Sequence, residues 1–563
     1  MFPETMAFGC KSLACRWLAG ANQEILFATA TSLHCQGIVA RFHALSRTPL
    51  TLAPIATQIR SLVLPADGHS LAAHSEPTHP LSKGKLGPNS QPNVGPIYLE
   101  PVQKAIIGAR RVARGVPVKI CLAYSRNEMM KSLNAGASLL LPAALVLICV
   151  ASAATCHAEN WTRFRGPNGT GTSESKSIPM EWNNDTNIKW SADLPGKGSS
   201  SPVIFDDRVF LTAYTGYGLD RANPGDPADL KRHLLCFDRK KGTELWRTTV
   251  KSDHEEDPYK GFICDHGYAS STPATDGKQV FVLFEKTGLL AFDMDGNQQW
   301  KTNLGTDSDP QQWGGGASCM LYKDKVIVVA GNVGRAIVAL NKSDGSTAWK
   351  VSDDNFKSCW STPSLIDVDD HQELVCSTPG KIIGLNPDDG SELWRANSPI
   401  DRTVCGSLAE LDGIVFAMGG REGRAVAVKT GGSGDVTKTH TLWSGALRSG
   451  IGTPVVADGR LYWTSTGIAF CADCKTGKYI YKERIKKKKG GRPAGDYASA
   501  LRVGDNVLLT TRGGATYILK ATADFQQIAS NQLEDEGLFN ATPAISDGEI
   551  FIRSESKLYC IAE

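Results

Sequence analysis

The chain has 563 residues, too many for one ordinary compact domain, with 56 glycines, 41% hydrophobic and 21% charged residues. That composition excludes a disordered or collagenous chain and points to a globular, turn-rich one. The formal net charge of +3 is unevenly spread. Residues 1–158 hold 14 of the 61 Lys+Arg and 6 of the 58 Asp+Glu, which leaves 47 and 52 beyond them, a net −5. A mildly acidic body argues against nucleic acid as a partner.

Residues 1–129 show no sustained period of 2 or 3.6, and Pro, His and Ser are scattered through HSLAAHSEPTHPLSKGKLGPNSQPNVGP. They read as a spurious extension from an upstream start codon, or as a disordered segment. Residues 130–158 read as a secretory signal peptide. Met130 and Lys131 precede an apolar run from Leu139 to Val150, and small residues lead to Ala158, where cleavage is expected. The run is short of the roughly 20 residues of a membrane span, so no transmembrane span is expected after cleavage. The triplet Ala153-Ala154-Thr155 before Cys156 matches a lipoprotein cleavage signal poorly. The protein is therefore expected to be exported, periplasmic or extracellular. Residues 159–186 form a lead-in; GPNGTG at 166–171 has neither the preceding strand nor the following helix of a nucleotide fingerprint.

From Ser200 onward one unit recurs: Ser/Thr-Pro, a short apolar strand, an Asp-Gly-type turn, two alternating strands, a glycine turn and a strand carrying Trp. Examples are SSPVIFDDRVFLTAY…HLLCFDRKKGTELW and STPATDGKQVFVLFEKTGLLAFDMDGNQQW. Period-2 alternation between turn residues predicts four short antiparallel strands per unit. A sheet with two apolar faces must stack on neighbours, and a ring protects its edges. Eight units can be written out, the last stopping after three strands at Cys560-Ile561. NIKWSADL, with Trp190 in register with Trp246, Trp300, Trp349, Trp394 and Trp443, is the expected fourth strand. The predicted fold is all-β: an eight-bladed propeller over 187–563, closed by this N-terminal strand, with the Trp residues packing between blades.

WTRFRGPNGTGTSES…WNNDTNIKW…LPGKGSSSPV, the tract HGYASSTPATDGKQVFV and the recurrent Gly-x-x-x-Trp endings resemble the PQQ-like β-propeller family over residues 161–563. The family contains quinone-dependent alcohol and sugar dehydrogenases and also a non-catalytic lipoprotein that helps assemble outer-membrane β-barrels. The resemblance implies the architecture; fold alone does not imply activity. Catalytic members are expected to carry two adjacent cysteines and a Glu/Asn/Asp calcium set. This chain has no Cys-Cys dipeptide, and no calcium set can be assigned to its motifs. The expectation is a non-catalytic binding or scaffold protein without a cofactor, its partner a protein, peptide or glycan of the cell envelope. The alternative is a PQQ- and calcium-dependent alcohol or sugar oxidoreductase.

Other motifs have plain readings. Cys236, Cys471 and Cys560 share one repeat position filled elsewhere by Ala, as buried packing residues; Cys471 and Cys474 have no second pair at zinc spacing. Asp367, Asp369, Asp370 and Glu373 lack the glycine of a calcium loop. Lys486–Lys489 read as a solvated basic loop. A site is located by geometry: the loops before the innermost strands line one mouth of the central channel. The residues placed there are Ser200, His266, Tyr268, Trp313, Trp360, Cys405, Arg448, Tyr497 and Phe539. His266, Tyr268, Trp313, Trp360, Arg448 and Tyr497 are the candidate ligand-binding set. No catalytic or metal-ligating residue is assigned.

Overall fold

In the computed structural model, residues 159–419, 423–486 and 496–563 are described. The upstream region 1–129, the signal segment 130–158 and Lys487–Lys489 lie outside them. The described strands form eight antiparallel sheets of four strands each, two of them extended by a short fifth strand. Blade 1 comprises Val203–Phe205, Arg208–Thr215, Lys231–Asp238 and Glu244–Lys251. Blades 2 to 7 repeat this order, with innermost strands Ala274–Thr275, Met320–Tyr322, Ser364–Val368, Ala409–Leu411, Val455–Ala457 and Leu501–Val503. Blade 8 joins distant parts of the chain. Ala544–Ser546, Glu549–Arg553 and Lys557–Ile561 carry Ile188–Asp193 as their outer strand, with Trp190 opposite Cys560.

The turn residues explain the strands. Asp206, Asp412, Asp458 and Asp547 take positive φ in the first hairpin of their blades, a conformation Asp and Asn tolerate. The middle strands are buried along almost their whole length, so each blade is apolar on both faces and stacks on two neighbours.

The tryptophans build these junctions by one device. The indoles of Trp190, Trp246, Trp300, Trp349 and Trp443 donate to carbonyls in the next blade: Arg239, Met294, Lys342, Pro387 and Cys474, at 2.8–3.1 Å. A glycine of that next blade lies flat on each ring. Cβ atoms at Gly242, Gly296, Gly345, Gly390 and Gly477 would stand 2.4–2.7 Å from indole carbons. Trp394 departs from the scheme. Its indole bonds Glu373 of its own blade at 2.7 Å, and Gly434–Asp435 adds a short parallel strand beside it. Glu373 therefore serves this buried contact and stands apart from an acidic loop.

The lead-in is part of the ring rather than a separate segment. Trp161 bridges Ile204 of blade 1, and Thr162 accepts from Thr275 of blade 2. Arg165 donates to Thr453 and Pro454 carbonyls of blade 6, and Thr172–Ser173 pairs in parallel with Arg502 and Val503 of blade 7. Residues 161–173 thus run beneath the axis, from blades 1 and 2 to blades 6 and 7, along the innermost strands of blades 1, 2 and 7 and just ahead of that of blade 6. No helix among the described residues is long and apolar enough to cross a membrane.

Candidate functional site

The central cavity is built by the residues that precede each innermost strand. In every blade the first residue of the repeated Ser/Thr-Pro motif, or its counterpart, bears a hydroxyl: Ser201, Thr272, Ser318, Thr362, Ser407, Thr453, Ser499 and Thr542. At seven consecutive junctions, the backbone N–H of one donates to the hydroxyl of the next, at 2.9–3.1 Å. All eight line a cavity of about 410 Å³. Phe164, from the segment beneath the axis, contributes to its floor.

The mouth is formed by the loops before this ring. Of the residues that the sequence places there, His266, Trp313, Trp360, Cys405, Arg448 and Tyr497 line the cavity together. Trp313 and Trp360 face one another at 5.5 Å between ring centroids, tilted by 31°, and Phe262 meets Trp313 edge-on at 4.7 Å. His266 Nε2 lies 2.8 Å from the Trp313 carbonyl and Nδ1 2.7 Å from the Ser270 hydroxyl. Nε2 is the protonated nitrogen, because a carbonyl only accepts. Burial lowers the imidazole pKa, so the ring is a neutral brace for the Trp313 loop. Arg512 pairs with Asp265 at 3.4 Å, donates to Asn540 Oδ1 at 2.9 Å and stacks on the Tyr497 ring, fixing that side of the mouth. Burial raises the Tyr497 hydroxyl to about 12 and the Cys405 thiol to about 12, so both stay protonated at neutral pH.

Three residues expected at the mouth are elsewhere. Tyr268 does not reach the cavity. Gly267, at φ +73 and packed on the Tyr214 ring, turns the chain after His266, so Tyr268 points away from the axis. It is buried with Tyr214, Tyr217 and Tyr259 and donates to the Asp257 carbonyl at 2.6 Å. Ser200 is buried, accepting from Arg553, and Phe539 is buried in the core of blade 8.

Behind the Gly314-Gly315 wall lies a small polar pocket that sequence reading missed. Arg232 pairs with Glu256 at 2.8 Å and Lys286 with Asp257 at 2.9 Å, all four buried. Glu285 enters the same pocket from a backbone at φ +47, against Gly315, where any Cβ would collide with its carboxyl. Burial raises its pKa to about 7. Asn332, also buried, donates to the Gly314 carbonyl at 2.7 Å while its Oδ1 has no partner. A carboxyl and an amide oxygen 47 residues apart in sequence carry no spacing signal; only the stacking of blades 2 and 3 brings them into one pocket.

The family profile described as outer membrane protein assembly factor BamB matches residues 230–483. Quinohemoprotein alcohol dehydrogenase from Comamonas testosteroni superposes with a TM-score of 0.52 at 12% identity, over 72% of this chain and 80% of that one. A europium-containing methanol dehydrogenase gives 0.50 at 10% identity, over 72% and 98%. BamB from Moraxella catarrhalis gives 0.46 at 14% identity, over 66% and 98%. No curated protein matches the chain at the sequence level. The recurrent unit, the eight four-stranded sheets and this profile match over residues 230–483 support a PQQ-like β-propeller family for the chain.

Proposed function

We propose that this protein is an exported binding protein of the cell envelope, without turnover of its own, that holds its ligand in the central cavity and its partner at the same mouth. The observation that carries the reading is the chemistry of the cavity lining: hydroxyls, an aromatic wall, one guanidinium and no carboxylate. The profile match to an outer membrane protein assembly factor supports an envelope protein as partner.

A quinone with calcium would be the group supplied in a catalytic relative, and the residues present do not suit it. Calcium takes six to eight oxygen ligands, mostly carboxylate and carbonyl. Of the carboxyls that line the small pocket, Glu256 and Asp257 are paired with Arg232 and Lys286 and Asp307 with Arg335, which leaves the Glu285 carboxyl and the Asn332 amide oxygen. Cys405 lines the cavity without an adjacent cysteine with which to close a small ring. The orphaned Asn332 Oδ1 beside Glu285 is the one observation that favours the oxidoreductase reading, because an oxygen pair of this kind suits a cation.

Calorimetric titration with PQQ, with and without Ca²⁺, tests the proposal. The expected result is no saturable binding and no dye-linked oxidation of alcohols or sugars. Micromolar binding accompanied by oxidation would overturn it and make the protein an enzyme.

A further inference from the structure

The outer rim of the ring carries a surface that the central cavity does not explain. In all eight blades the outer strand bulges at the residue before the Trp position, where two of its residues lie opposite one on the neighbouring strand. The bulged side chain stands at the rim. Blades 8, 2 and 3 place Lys189, Gln299 and Ala348 there, and Leu393 of blade 4 is partly covered. Blades 5, 6 and 7 place Leu442, Ile480 and Ile528 there, 38–47% exposed. A single exposed aliphatic is ordinary, as is Leu245 of blade 1, flanked by the polar positions of blades 8 and 2. Three at one repeat position on consecutive blades make a stripe.

Charge gathers on the same stripe. The chain beyond residue 158 is net −5, yet residues 473–486 of blade 6 hold Lys475, Lys478, Lys482, Arg484 and Lys486 against two carboxylates, Asp473 and Glu483. All five cations are exposed, and none is in an ion pair among the described residues. The outer strands of blades 1, 2, 4 and 8 each hold a cation that is paired: Arg247 with Glu244, Lys301 with Asp253, Arg395 with Glu392 and Lys189 with Glu549. Lys482 lies over the Tyr479 ring at 3.5 Å, its stem along an apolar face and its charge outward. The three blades are also tied together at this rim. The Trp443 indole donates to the Cys474 carbonyl at 2.8 Å, and the Gln527 amide group bonds the Lys486 backbone at 2.8 and 2.9 Å, beside Ile528.

We infer that the rim of blades 5 to 7 docks on an anionic lipid bilayer, with Leu442, Ile480 and Ile528 at the headgroup–acyl boundary and the blade 6 cations against lipid phosphates. Separate aliphatics set among long cations suit a fluid partner, into which each side chain sinks on its own while the lysine stems reach back to the headgroups. The acidic remainder of the ring is repelled by the same surface, which fixes one orientation. The inference is independent of what the central cavity holds.

Flotation with vesicles tests it, using phosphatidylcholine alone and phosphatidylcholine with about one third phosphatidylglycerol. The protein should partition to the anionic vesicles at least about tenfold more tightly, and salt should weaken that binding. The triple variant Lys475→Gln, Lys478→Gln, Lys482→Gln should lose roughly a hundredfold, about fivefold for each cation. Ile480→Ser should lose about tenfold at low and high salt alike. Both variants should keep the thermal midpoint, because the four side chains are exposed. Equal binding to both vesicles, no binding to the anionic ones, or wild-type partition of either variant would overturn the inference. Capture by polyglutamate without binding to vesicles would overturn it too and assign the rim to an acidic polypeptide. Flotation reads the rim and titration with PQQ reads the cavity, so failure of one leaves the other standing.

Discussion

At the scale of single residues, two side chains carry measurable consequences. Glu285 holds its proton more tightly in the folded protein, with a pKa raised by burial to about 7, than in the unfolded chain, where it lies near 4.3. The folded state therefore binds more protons between these values, and stability falls as pH rises through that window. Glu285→Gln keeps the shape and removes the titration. Urea midpoints of wild type and variant should nearly coincide at pH 4 and separate at pH 8 in favour of the variant. A difference independent of pH would refute this account of Glu285. Trp190 is buried, packs on Gly242 and Phe551 and donates to Arg239. Trp190→Ala should destabilise by about 3–5 kcal/mol, as large-to-small core changes do. A loss below about 1 kcal/mol, typical of surface sites, would show that this junction contributes little.

Residue by residue, legibility in sequence divides along the same physical lines. His266, Trp313, Trp360, Arg448 and Tyr497 were readable as cavity residues because repeat position fixes distance from the axis. Tyr268 was not, since a left-handed glycine next to it reverses the chain, and an isolated Gly in sequence does not announce its φ. Glu285 and Asn332 were unreadable for a different reason: their proximity depends on stacking between blades, which no local pattern encodes.

At the scale of the element, alternation and Asp-Gly turns specify each hairpin well. The contacts between hairpins are less visible. Ser and Thr before a strand read as punctuation, yet here they form the relay that registers one blade against the next. The signal that could have revealed it is a hydroxyl at one repeat position in all eight units, with proline after it in five of them. Thr362→Val tests the relay. It keeps the shape of the side chain and leaves the Ser318 N–H, which donates to Thr362 at 3.0 Å, buried and unpaired. A cost of about 1–3 kcal/mol follows, measurable by denaturant unfolding. Stability equal to wild type would show that water or a shifted backbone replaces the bond.

At the scale of the whole molecule, blades 1 and 8 interlock by more than stacking. Arg239 of blade 1 pairs with Asp547 and Glu549 of blade 8, and Arg553 of blade 8 donates to the Thr212 carbonyl of blade 1 at 2.7 Å. Residues 161–173 add a brace between blades far apart around the ring. Arg165→Met should remove its bonds to Thr453 and Pro454 and destabilise by about 3 kcal/mol, the loss expected for bonds from a charged donor. Hydrogen exchange should then quicken in blades 1 and 6 together. Faster exchange confined to residues 161–173 would show that the segment braces nothing.

The same crossing segment has a consequence for transport. With Phe164 at the floor and the chain stretched below it, the recess is a blind well rather than a tube. A polymer cannot thread through it. Whatever enters must leave by the same opening, so only a terminus or a side branch can be seated. Long and short oligomers with the same end group should then exchange with similar affinity, each occupying the well one tip at a time.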